Sequence, residues 1–263
     1  MIEFDHVSFE YAEATTINDV SFRLVAGDFV ALIGANGAGK STISKLCNGL
    51  LKPSRGHVLL DGDDTRGLRT SALARKVGFL FQNPDRQICQ NSIRAEIMFG
   101  LENVLADAAE CQCRCDDVLA AFGFDGAADP FSMSRGERQR IALASLIACR
   151  PPMLILDEPT TGLDYRECMQ IMEQIQALND AGTTVLMVSH DMEIVQDFAR
   201  RVLVLNQGRL LGDGPKDQIM ADPALLAQAK LLPSQITALA LRMGFNNVHT
   251  VDDMVAAVSA TAS

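Results

Sequence analysis

The stretch Gly34-Ala35-Asn36-Gly37-Ala38-Gly39-Lys40-Ser41-Thr42 matches G-x-x-x-x-G-K-[ST]. Its glycines open backbone conformations that a side chain obstructs, so successive N–H groups can turn towards phosphate oxygens. The start of the following helix adds partial positive charge. Lys40 is placed to neutralise β- and γ-phosphates, and the Ser41 hydroxyl to ligate magnesium. A second group is Asp157-Glu158, two adjacent carboxylates closing the apolar run Met153-Leu154-Ile155-Leu156. Magnesium is a hard cation that keeps several waters and takes few carboxylates, so Asp157 can hold it directly or through water. Glu158 is the candidate general base for an attacking water. Alone, such a pair is as readily a solvated strand end; the phosphate loop upstream gives it a role.

These residues need strands and helices to hold them. Phe29-Val30-Ala31-Leu32-Ile33 runs into the loop, and Ile43-Ser44-Lys45-Leu46 continues it as a helix. Val77-Gly78-Phe79-Leu80-Phe81, Thr184-Val185-Leu186-Met187-Val188 and Val202-Leu203-Val204-Leu205 are short, continuous apolar runs like the one before Asp157. Such runs suit strands covered on both faces of a parallel sheet. Residues 2–9 have strand-like spacing, and Val20, Phe22 and Leu24 alternate with Ser21 and Arg23 as in a half-buried strand. His57-Val58-Leu59-Leu60 with Asp61-Gly62 predicts a strand and turn, and Asn206-Gln207-Gly208-Arg209 a hairpin turn. From about 83 to 150 the pattern is mostly helical, with further helices predicted at 165–178, 192–200 and beyond Pro215. Thr250-Val251-Asp252-Asp253 has the form of a capping box.

The chain of 263 residues, 48% hydrophobic, can build one large α/β domain and a small appendage. A formal net charge of −10 argues against a general nucleic-acid binder and against adsorption to anionic lipid. No apolar run approaches the ~20 residues needed to span a bilayer. Met1-Ile2-Glu3-Phe4-Asp5 lacks the pattern of a signal peptide. Seven cysteines without a secretory context fit reduced thiols. Cys111, Cys113 and Cys115 are expected to be an idle or partly buried thiol cluster rather than a metal site, because on a helix only the first and last share a face.

Met133-Ser134-Arg135-Gly136-Glu137 opens the apolar helix 141–148. Ser134 and Glu137 make a capping box, and a helix start with a Ser hydroxyl and a Gly N–H is also a γ-phosphate site. Both readings can hold together. Residues 34–42, Gln82, 133–137, 154–158, Thr161-Gly162-Leu163-Asp164 and His190 occur in the order found in the ATP-binding subunits of ABC transporters. The resemblance covers residues 1–215. It implies a P-loop NTPase fold of the ABC ATPase class: an α/β domain with an antiparallel β subdomain, a helical subdomain inserted at about 83–150, and a helical C-terminal extension over 216–263. It also implies ATP and Mg2+ as ligands, with the Asn36, Gly37, Ala38, Gly39, Lys40, Ser41 and Thr42 loop on the phosphates, and Ser41, Gln82 and Asp157 at the metal.

By the same resemblance Glu158, His190 and Gln82 are catalytic, Tyr11 stacks on adenine, and Ser134, Gly136 and Asp164 act across a dimer interface. The family's usual signature is Leu-Ser-Gly-Gly-Gln. This chain departs at Met133, at Glu137 and at Arg135, where a bulky cation replaces glycine and is expected to crowd the phosphate or alter the backbone. Phe81-Gln82-Asn83-Pro84-Asp85-Arg86-Gln87-Ile88, the run 134–140 and Leu231-Leu232-Pro233-Ser234-Gln235-Ile236-Thr237 resemble energy-coupling-factor ATPases. That similarity implies a second ATPase subunit, a transmembrane coupling protein and a substrate-binding membrane component, with this chain at the cytoplasmic face of the membrane. Asp85 would face a basic coupling helix there, or be a solvated loop carboxylate. The rivals are a conventional ABC importer ATPase, a non-transport ABC protein, and a small-molecule kinase. The last needs neither the 134–137 motif nor His190.

Overall fold

The computed structural model describes residues 1–11, 14–245, 248 and 250–261. Among the described residues ten strands form two sheets. β1 (Ile2–Tyr11), β2 (Ala14–Leu24), β4 (Arg55–Leu60) and β5 (Asp63–Asp64) make an antiparallel sheet in the order β2-β1-β4-β5. β3 (Phe29–Ile33), β6 (Val77–Leu80), β7 (Met153–Asp157), β8 (Thr184–Val188), β9 (Arg201–Asn206) and β10 (Arg209–Pro215) make the second, in the order β10-β9-β3-β8-β7-β6. Five of these strands run parallel, and only β10 is antiparallel, joined to β9 through the Gln207-Gly208 turn, both residues at positive φ.

The continuous apolar runs are explained by what covers them. One face of the parallel sheet, with Leu32, Ile155, Leu186, Val188 and Leu203, packs with α1 (Lys40–Cys47) against the antiparallel sheet. The opposite face, with Ala31, Ile33, Leu154, Leu156 and Met187, packs against α5 (Arg135–Cys149), α6 (Tyr165–Asp180) and α7 (Met192–Phe198). Every residue of β3, β7 and β8 is buried. Burial of a single Leu or Ile side chain here contributes about 2 kcal/mol, and no charged face is needed for solvent.

The region 83–150 folds mainly as α3 (Ile93–Val104), α4 (Ala108–Phe122) and α5. They share a core of their own, in which Ile93, Ile97 and Leu101 meet Cys111, Cys115, Leu119, Ile141 and Ala144. Cys111 and Cys115 point inward on α4 and Cys113 outward, as a helical period requires. Past β10, short α8 (Lys216–Met220) and α9 (Pro223–Gln228) cover the sheet. α10 (Gln235–Arg242) and α11 (Val251–Thr261) then share a small cluster around Ala240, Val248 and Met254. The capping box before α11 is made as its sequence predicts. Asp253 N donates to Thr250 Oγ1 at 3.1 Å, and Thr250 N to Asp253 Oδ2 at 3.0 Å. Among the described residues no helix is long and apolar enough to cross a membrane. The short helix α2 (Thr70–Ala74) comes between β5 and β6 in the chain and buries Leu73 in the core shared with the antiparallel sheet.

Candidate functional site

The carboxyl ends of four neighbouring strands, β3, β8, β7 and β6, converge on one edge of the parallel sheet. They carry in turn the phosphate loop, His190, Asp157 with Glu158, and Gln82. Strand ends at this edge are where open α/β sheets bind ligands, because helix N-termini and loops gather there. Register fixes the placement: Leu32 pairs with Val188, Asp157 with Val188, and Leu80 with Leu156.

The loop after β3 wraps a cavity of about 410 Å³ lined by Asn36, Gly37, Gly39, Lys40, Ser41 and Thr42, with Gln82 and Glu158 opposite. Gly39 caps α1 at φ 106°, in the left-handed region where a side chain is strained. The buried Lys40 amine donates to the carbonyls of Gly34, at 2.7 Å, and Ala35, at 3.2 Å. Burial lowers its pKa from the ordinary lysine value, against the pull of Glu158 and Asp157. Ala38 is buried and holds the loop through its carbonyl, which accepts from Gly208 N at 2.9 Å.

Ser41 Oγ lies 3.4 Å from Asp157 Oδ1. Burial raises the Asp157 pKa above the usual carboxylate range, and Glu158 adds to the rise, while Ser41, Lys45 and Lys40 oppose it. The exposed Ser41 hydroxyl and the buried Asp157 carboxylate are hard oxygen donors that fit magnesium, whose charge would offset the burial of Asp157. The raised pKa also has a stability consequence. The penalty for burying ionised Asp157 is absent below the unfolded-state pKa of about 4 and grows as pH rises through the folded value. Asp157→Asn is therefore expected to raise the Tm of the nucleotide-free protein at pH 7 by about 2 °C or more, and to leave it unchanged near pH 3.5. Scanning calorimetry at both pH values checks this.

Glu158 is the junction of the site. Its backbone is left-handed, φ 53°, a conformation that costs a non-glycine residue of order 1 kcal/mol and clusters at functional positions. Its carboxylate accepts from Gln82 Nε2 at 2.8 Å and Thr161 Oγ1 at 3.0 Å, and His190 Nδ1 lies 3.2 Å from its other oxygen. The three residues expected to be catalytic, 82, 158 and 190, are thus in direct contact, although far apart in sequence. A second opening of about 360 Å³ continues from them past Gly34, Ala35 and Asn36 to Lys230 and Leu231. A third, of about 210 Å³, runs behind Ser41 and Asp157 to Lys45, Asn83 and Arg86.

The remaining candidates lie outside these cavities. Ser134 caps α5: its hydroxyl accepts from Glu137 N at 3.2 Å, and Ser134 N donates to Glu137 Oε2 at 2.9 Å. Those bonds hold the Glu137 pKa below the usual value. Asp164 caps α6 in the same reciprocal way, through Glu167, at 2.8 and 3.1 Å. The two caps touch. A Cβ on Gly136 would sit 2.8 Å from the Glu167 carboxylate, which would have to shift from its cap to make room. Gly136→Ala is expected to displace Glu167 and cost about 1 kcal/mol of stability, and to cost less in a Glu167→Ala background. Chemical denaturation of the four proteins measures that coupling. Tyr11 ends β1, 44% exposed, with its ring edge against Phe9 at 4.8 Å.

The Arg135 side chain lies against Gln82 and Gly162 of its own chain. Asp85 is exposed, with Arg138 Nε 3.4 Å from its carboxylate. Thr16, which lines the main cavity, and Lys230 carry no local motif, and Leu231 opens the run 231–237 without being predicted as a site residue; all three are contributed by distant parts of the chain. Another cavity, of about 650 Å³, is mostly apolar, lies between α4, the end of α5 and the end of α6, and contains none of these groups.

The family model described as "ABC transporter" matches residues 17–161, more than half of the chain. A putative ABC transporter ATP-binding protein of Pyrococcus horikoshii is 36% identical over 258 residues, covering 97% of this chain and 98% of its own length. The energy-coupling factor transporter ATP-binding protein EcfA of Methanothermobacter thermautotrophicus is 38% identical over 236 residues, 88% of this chain and 76% of its own. Other curated relatives are longer: the chain spans 45% of a Caldanaerobacter subterraneus protein at 38% identity, and 36% and 40% of two from Methanosarcina. Among solved structures, CbiO1 of Clostridium perfringens, part of the CbiONQ transporter complex, superposes with a TM-score of 0.77 at 27% identity, over 93% of this chain and 98% of that one. A dimeric cassette, MJ0796 with ADP and Pi, gives 0.74 at 26% identity, over 82% of this chain and 99% of that one. The chain belongs to the ABC transporter family, as an ATP-binding domain of the ATPase class. Within that class it is similar to the energy-coupling-factor ATPases.

Proposed function

We propose that this chain is the ATP-hydrolysing subunit of an energy-coupling-factor type importer, driving uptake of a vitamin or transition-metal ion through a membrane partner. The observation that carries the hydrolytic half is the junction at Glu158, where Gln82, Thr161 and His190 meet one carboxylate at the mouth of the phosphate-loop cavity. Residues 36–42 cradle the phosphates and Lys40 neutralises them. Ser41, Asp157 and Gln82 would hold Mg2+, which supplies charge neutralisation between phosphate oxygens. Glu158 takes the proton of the attacking water. His190 and Gln82 keep the carboxylate aimed at it and read the γ-phosphate, and Tyr11 receives the adenine.

Ser134 and Gly136 do not line the cavity of their own chain, which fits their service to a second subunit's nucleotide, with Asp164 nearby. The working unit is then a head-to-tail pair, peripheral to the cytoplasmic face of the membrane and bound to a transmembrane coupling protein and a substrate-binding component. Residues 1–215 form the ATP-binding domain, with 83–150 as its helical part, and 216–263 the extension. The energy-coupling reading rests on the similarity to EcfA and CbiO1 and on the segments around Gln82 and Pro233. Purification of the native complex tests it. Recovery with a small substrate-binding membrane protein and a coupling protein is expected; recovery with a conventional permease pair would replace it. Mg2+-dependent ATP turnover without a phosphate acceptor excludes the kinase reading.

A further inference from the structure

The segment after Gln82 is fastened to the first two turns of α5 at three points. Arg135 Nη2 lies 3.5 Å from the Gln82 carbonyl oxygen. Arg138 Nε lies 3.4 Å from Asp85 Oδ1. Gln87 Nε2 donates to the Ala142 carbonyl at 3.0 Å. Positions 135, 138 and 142 share one face of the helix. Gln87 is anchored at its other end too, its Oε1 accepting from Phe81 N at 3.3 Å, where β6 ends. Arg138 Nε is buried without a well-aligned acceptor, so the Asp85 carboxylate is the charge that compensates it. Arg135 makes a second contact: its Cζ and Nε lie 3.4 Å from where a Cβ on Gly162 would be. Its guanidinium therefore covers the turn between Glu158 and Asp164.

We propose that Arg135 is a positioning residue which, with Arg138, makes residues 82–87 and the Ser134 end of α5 move as one unit within a chain. This rests on the two-site reading above. Gln82 bonds to Glu158 at one site, while Ser134 of the same chain serves the other. The Gln82 carbonyl and the residues three and five positions on are held by α5, so a displacement of Gln82 on nucleotide binding is carried to Ser134. A glycine at 135 has no side chain to make that link. The cation thus couples one site to the next.

The test uses the full chain, with Arg135→Gly, Arg135→Lys and Arg138→Gln each made alone. Nucleotide Kd is measured at low protein concentration, ATP turnover is measured against ATP concentration, and ATP-dependent dimerisation is followed in a Glu158→Gln background. In Arg135→Gly the Kd is expected to stay within about twofold and turnover at saturating ATP to be equal or higher. The Hill coefficient is expected to fall towards that of independent sites, since coupling is an energy between sites and not part of either binding constant. Arg138→Gln is expected to do the same, and Arg135→Lys to retain part of the cooperativity. An unchanged Hill coefficient in a protein that still dimerises overturns this proposal alone. A Kd loss as large as the loss of cooperativity makes Arg135 a direct phosphate contact and overturns it too. Failure of Glu158→Gln to dimerise with ATP, or a wild-type protein without cooperativity, overturns the two-site reading and the coupling with it.

Discussion

Glu158→Gln is expected to lower ATP turnover by about 100-fold or more while leaving ATP bound, because a positioned base contributes that much to proton removal. Three groups meet the Glu158 carboxylate, and glutamine keeps its shape. An amide oxygen can still accept from Gln82 and Thr161, so the site keeps its architecture and loses only its base. Bound ATP should then hold two subunits together, and the variant should elute as an ATP-dependent dimer in size-exclusion chromatography. Turnover near that of the wild type would remove Glu158 from the role of base. Loss of ATP binding would instead mean that the residue's part is to hold the loop open.

The second large effect is at Lys40. Lys40→Ala removes a buried ammonium that sits among loop carbonyls, with no other cation within the main cavity lining. A charge-assisted bond to a phosphate is worth about 2–3 kcal/mol, so ATP affinity is expected to fall roughly 30- to 160-fold. Burial of the amine already disfavours its charge, so the ammonium gains more from an arriving anion than an exposed lysine would. Titration calorimetry of the two proteins with ATP measures the difference. An equal affinity would place the binding energy in the loop's N–H groups alone.

The sequence made the phosphate loop, the acidic pair and the capping boxes legible because each is local. A run of nine residues carries the whole of the first, and a strand end carries the second. The parallel sheet was legible from the continuous apolar runs, since two covered faces leave no room for alternation. What could not be read is what tertiary geometry decides. The left-handed backbone of Glu158 has no sequence cue of the kind glycine gives, because the surrounding strands impose it. Thr16 and Lys230 enter the site from an antiparallel strand and from the segment after α9, where no motif marks them, and Leu231 begins a run whose resemblance says nothing of this cavity. Arg135 could be recognised as a departure from its family's pattern, but the direction of a long, flexible side chain is chosen by its neighbours. Here these are the Gln82 carbonyl and the open face of Gly162. Asp85 was likewise read without Arg138, which lies more than fifty positions away.

The register of β3 has a consequence for synthesis on the ribosome. Val30 pairs with Leu186 on one side and with Arg201 on the other. The strand that ends in the phosphate loop is made early, but both neighbours are translated more than 150 residues later. Long-range parallel pairing of this kind forms slowly and leaves apolar strands unsatisfied meanwhile. A nascent chain halted before β8 would display β3 with no partner on either edge, and could not use ATP to stabilise itself. Nucleotide can therefore assist the folding of this domain only after β8 and β9 have emerged.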